Sequence, residues 1–122
     1  MHVLTPAPAV TTPNAAMTGL AAPSRGSAEL STWRVRMEPG SAGPEHSIDR
    51  EQVWTVTSGS MEVTSAGRTE TVAAGQTVVL PAGAVRQVRA GADPVEALVA
   101  MPAGGRAFVP GSEEPRALPW AE

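Results

Sequence analysis

"EQVWTVTSGSMEVTSAGRTETVAAGQTVVLPAGAVRQVRAG", residues 51–91, decides the fold. Short runs rich in Val and Thr are separated by Gly59, Gly67, Gly75, Gly83 and Gly91, one glycine every eight residues. Strands of that length, punctuated by turn residues, mark an all-β sandwich or barrel. The residues between the glycines differ, so the interval is a spacing of turns and not a sequence repeat. Upstream, "LSTWRVRMEPG" (residues 30–40) sets Trp33, Val35 and Met37 against Arg34, Arg36 and Glu38. That is the period-two pattern of a half-buried strand with both arginines on the solvated face, and Pro39-Gly40 ends it with a turn. Downstream, "VEALVAM" (residues 95–101) reads as a last strand. No stretch carries sustained helical periodicity.

The ends differ from this middle. Residues 1–26 are rich in Pro, Thr and Ala and carry one formal charge, Arg25. They read as an extended arm, with "AAMTGLAA" (residues 15–22), bracketed by Pro13 and Pro23, as the docking portion. Residues 27–103 form the barrel, and residues 104–122 a Gly/Pro-rich tail. At 122 residues the chain can enclose one core but not two. A net charge of -3 argues against nucleic acid or an anionic membrane as a partner. The absence of cysteine excludes disulfides and thiolate metal sites. All nine basic residues are arginine, which excludes Schiff-base chemistry on lysine. No apolar run reaches the roughly 18 residues of a bilayer span, and nothing near residue 1 resembles a secretory signal. A soluble, cytoplasmic domain is expected.

Chemistry concentrates in two short segments. "GSAGPEHSIDREQVWTVTSG" (residues 40–59) and "GQTVVLPAGAVR" (residues 75–86) resemble the two motifs of the cupin superfamily. The first family motif is a Gly, five residues, His-x-His, three or four residues, Glu or Gln, six residues, and Gly. Here those positions hold Gly40, His46, Ile48, Gln52 and Gly59. The second is a Gly, five residues, Pro-x-Gly, two residues and His, here Gly75, Pro81, Gly83 and Arg86. Every interval is kept, and the flanking strands extend the likeness over residues 29–101. The resemblance implies a double-stranded β-helix, or small jelly-roll barrel. It also implies a homodimer formed by sheet packing, with the arm crossing to the neighbour.

The family's metal is held by three His and one Glu or Gln, and two of those positions have changed. Ile48 cannot donate, and the Arg86 guanidinium has no acceptor lone pair. At about 4 Å from a divalent ion, at an effective dielectric near 20, its charge would cost several kcal/mol. His46 and Gln52 alone fall short of the three protein ligands of a catalytic zinc site. His2, Glu45, Asp49 and Glu51 are poorly placed to complete the set. No cofactor is therefore favoured. The alternative is Fe, Mn, Ni, Zn or Cu on His46 and Gln52, as in a cupin oxygenase with an altered ligand set.

Strand alternation would turn residues 46, 48, 50, 52, 54 and 56 to one face, with His46, Gln52, Trp54 and Val56 inward. His46, with an ordinary pKa of about 6.5, is the candidate acid–base, its ring fixed by Gln52. Arg86 at the barrel mouth is the candidate partner of a carboxylate, enolate or phosphate. Gln52, Trp54, Met37 and Trp33 are the candidate ligand-binding residues. Met61, Met101 and Phe108 read mainly as core. Against these roles stand plainer ones: a neutral histidine bonded to Gln52 or water, and an arginine paired with Glu38 or Glu51. The expected function is binding of a small anionic or carbonyl-bearing molecule, with or without isomerase, cyclase or lyase chemistry. A non-catalytic binding module is the alternative. Similar small cupins are associated with bacterial secondary metabolism.

Overall fold

Leu30–Met37 (β3) buries every second residue, Ser31, Trp33, Val35 and Met37, and turns Arg34 and Arg36 to solvent. A strand with one wet face needs a partner on each edge and a core beneath it. In the computed structural model, which describes residues 1–122, β3 has both. Ala16–Ala21 (β2) pairs with one edge, and Val10–Thr11 (β1) pairs with β2. On the other edge lies Val95–Pro102 (β10), followed by Gln52–Ser58 (β5) and Thr77–Leu80 (β8). The result is a six-stranded antiparallel sheet in the order β1-β2-β3-β10-β5-β8.

The facing sheet is built from Arg68–Ala73 (β7), Ser60–Ser65 (β6) and Arg86–Ala90 (β9), in that order. Past β9 it continues through bridges at Ala42 and His46 to Ser47–Ile48 (β4), then to Ala107–Phe108 (β11) and a bridge to Arg116. Two antiparallel sheets face to face form the all-β barrel that the glycine interval predicts, in the jelly-roll arrangement that the cupin resemblance implies. Their inner faces meet in a core of Val35, Val56, Val63, Val88, Val99, Met61 and Met101, among others. Each such side chain contributes roughly 1.5–3 kcal/mol by leaving water. There is no α-helix, only short 3-10 turns at Pro23–Arg25 and Pro119–Ala121. No helix is therefore long and apolar enough to cross a membrane.

Two details add to the reading of the bare sequence, and one differs from it. The arm docks within its own chain: β2 hydrogen-bonds to β3 and buries Met17 in the core. The strand through His46 is not continuous, because Asp49–Glu51 leave the ladder between β4 and β5. Asp49 Oδ1 accepts the backbone N–H of Arg106 at 2.7 Å there, and Arg50 is exposed although parity would turn it inward. Of the evenly spaced glycines, all but Gly91 have positive φ. Gly59 is also held by contact, since a Cβ there would collide with the Pro94 carbonyl oxygen.

Candidate functional site

The two sheets do not close fully on each other. Between them lies a cavity of about 450 Å³. The larger sheet contributes Met17, Trp33, Val35, Met37, Gln52 and Trp54, and the smaller one contributes His46, Ile48, Val88 and Ala107. This is the size range of small-molecule sites, and the lining is mostly apolar with a few polar groups, as such sites are. His46, Gln52, Trp54, Met37 and Trp33 therefore share one space. Arg86, Met61, Met101 and Phe108 are not on its surface.

His46 reaches the cavity because its backbone bridges β9. His46 N–H donates to Arg86 O at 3.0 Å, and Arg86 N–H donates to His46 O at 2.9 Å. A doubly bonded antiparallel pair places both side chains on one face. The ring is oriented by Pro44 rather than by Gln52, with Nδ1 lying 3.0 Å from the Pro44 carbonyl oxygen. A carbonyl can only accept, so Nδ1 carries the proton and Nε2 keeps its lone pair. Burial pushes the His46 pKa below 6.5, the nearby Arg86 charge adds to this, and the Pro44 bond opposes it in part. At neutral pH His46 is thus an uncharged base in the cavity wall.

Arg86 is not at a barrel mouth. It is 1% exposed and lies behind the wall. Nη2 donates to Gln52 Oε1 at 2.6 Å and Nη1 to the Ala84 carbonyl at 3.3 Å, while Nε has no acceptor. Neither Glu38 nor Glu51 pairs with it; Glu38 pairs with Arg36. Burial without a counter-charge pushes its pKa down to about 10, which leaves it protonated at neutral pH. Gln52 Oε1 also accepts the Trp54 indole N–H at 3.0 Å, so both oxygen lone pairs are taken.

That arrangement does not fit a metal ion. Gln52 has no free lone pair, Ile48 is fully buried hydrocarbon, and a guanidinium bonds the amide that would have been a ligand. No group of three or more His, Asp or Glu residues gathers anywhere in the structure. Of the four metal positions in the two motifs, only His46 offers an unshared donor atom.

Part of the cavity wall comes from the ends of the chain, to which the sequence assigns no site residue. Thr12, Asn14, Ala15 and Met17 come from the arm, and Arg116, Leu118 and Trp120 from the tail. Leu118 and Ala121 are buried, and Ser31 Oγ bonds the Ala121 carbonyl at 2.6 Å, which clamps the tail to β3. All three tryptophans thus line one space. Trp120, an aromatic in an otherwise Gly/Pro-rich tail, was the available signal; no strand pattern surrounds it to say where it goes.

The sequence pattern of the cupin domain matches residues 33–101. Among solved structures, a cupin 2 domain-containing protein from Halorhodospira halophila superposes with a TM-score of 0.74 at 21% identity, over 82% of this chain and 72% of that one. KdgF from Halomonas sp. gives 0.67 at 18% identity, over 76% and 83%. A conserved Streptococcus pyogenes protein of unknown function gives 0.61 at 25% identity, over 71% and 72%. No curated protein matches the chain in sequence.

Proposed function

This chain belongs to the cupin domain family, and we propose that it uses the barrel to bind a small carbonyl-bearing organic molecule and move a proton on it without a metal. The observation that carries this reading is the state of His46. Its Nδ1–H is tied to Pro44 and its Nε2 is unpartnered by protein in the wall of a tryptophan-lined cavity. A base so placed can take a proton from a carbon next to a carbonyl. The electron pair then moves onto the carbonyl oxygen, and the imidazolium returns the proton at the same or another atom. Nothing is oxidised or reduced, so the reaction class is isomerisation, cyclisation or elimination. Arg86 does not touch the ligand in this scheme. Its buried charge, one residue behind the wall, favours the enolate and disfavours a resting imidazolium. Gln52 positions it, and Gln52, Trp54, Trp33 and Met37 form the wall the ligand meets.

The test has two stages. Quenching of tryptophan fluorescence by a panel of aromatic ketones and acids finds a ligand, because all three indoles line the cavity. Exchange of that ligand's α-proton into D2O, followed by NMR, then reads the chemistry. His46→Ala should keep binding within a few-fold and slow exchange by about 10²–10⁴. Binding without exchange in the parent protein would instead identify a carrier. Tightly held transition metal in protein purified without chelator would revive the oxygenase alternative.

A further inference from the structure

Among the residues lining the cavity there is no carboxylate, and one side chain is permanently charged: Arg116. Its backbone is fixed at the rim by paired bonds to β11. Ala107 N–H donates to Arg116 O at 2.9 Å and Arg116 N–H to Ala107 O at 2.8 Å. The side chain beyond that anchor is exposed and enters no ion pair; the chain's ion pairs belong to Arg36, Arg50 and Arg68. Arg86, by contrast, is buried and committed to Gln52. Nearby, Trp120 Nε1 is buried and has no acceptor in the protein. A buried indole N–H normally finds a partner.

We propose that Arg116 is the anion-recognising residue of this cavity, and that the ligand is a planar, largely apolar carboxylate. Its ring lies among Trp33, Trp54 and Trp120 and its acid group reaches the rim. The proposal rests on the cavity being a ligand site and adds which chemical class it selects. Geometry supplies the sorting. Aromatic walls favour a flat body, the one guanidinium on the lining matches a carboxylate fork, and no carboxylate on the lining repels it. Because Arg116 is at the rim, its attraction is partly screened by water and salt.

Titration of tryptophan fluorescence with 2-naphthoate and with 2-naphthamide tests this. The parent protein should prefer the acid by about five- to tenfold. Arg116→Gln should remove that preference while leaving 2-naphthamide binding unchanged, which also reports that the barrel is intact. Arg116→Lys should retain part of it, and about 0.5 M salt should shrink it. Equal affinities in the parent protein, or a preference that survives Arg116→Gln, would overturn the assignment and leave the cavity as a site. Binding of neither probe would overturn the assignment and the site together.

Discussion

At the residue scale, the inner end of the barrel holds an arginine where its family would place a metal ligand, and the neighbours have adjusted to it. A buried guanidinium left alone is costly, several kcal/mol or more. Gln52 reduces that cost by giving its carbonyl oxygen to Arg86 and Trp54 together. The amide that marks a metal site in the motif thus becomes the partner of a cation. His46 is tuned mainly by its own burial, to which the Arg86 charge adds, and its titration makes the effect measurable. Its folded-state pKa lies below the unfolded value of 6.5. As pH falls through 6.5 the unfolded chain takes up a proton that the native state refuses, so stability drops until the native pKa is passed and then levels. Urea midpoints of the parent protein and His46→Gln between about pH 7.5 and 5 should diverge on that limb, with the variant flatter. Parallel curves would show that His46 titrates as it does in the unfolded chain.

At the element scale, turns set the registers that bring these side chains together. β6 and β7 are joined by the two-residue loop Ala66-Gly67, with φ of 51° and 75°. Positive φ at both positions is a type I′ turn, which suits the twist of a hairpin but not an alanine. Ala66→Asn should stabilise the protein by roughly 0.5–1 kcal/mol, read as a higher urea midpoint with unchanged slope. A lower midpoint would mean that something other than backbone strain governs the loop. The break at residues 49–51 matters more for the site. It lets β4 pair with β11 while β5 joins the larger sheet, so one motif serves both walls of the cavity. Strand alternation places Gln52, Trp54 and Val56 correctly, but it cannot foresee that Asp49 will turn to cap the Arg106 N–H.

At the scale of the whole molecule, the ends of the chain complete the cavity. The arm supplies the strand beside β3, and the tail crosses it, with Ser24 Oγ bonded to the Glu122 carbonyl and Arg25 to the carbonyls of Gly19 and Thr5. Deleting residues 1–24 would strip Met17 from the core, expose the edge of β3 and open one wall of the cavity. The loss should be at least about 2–3 kcal/mol, seen as a lower urea midpoint and a growing tendency to aggregate. A truncated barrel of unchanged stability would show that the arm is dispensable to the fold. The even glycine interval, the alternation over residues 30–37 and the two spaced motifs determine the all-β barrel and its family by themselves. Each is local, because backbone conformation and side-chain alternation are set within a few residues. The same local logic brings His46 and Gln52 to an inner face. Tertiary structure alone decided that Arg86 is buried against Gln52, that Pro44 and not Gln52 holds the histidine, and that Arg116 and Trp120 reach the cavity. Those outcomes depend on which groups meet across sheets and chain ends, and on how much water is left between them. Neither quantity is written in the spacing of residues along a strand.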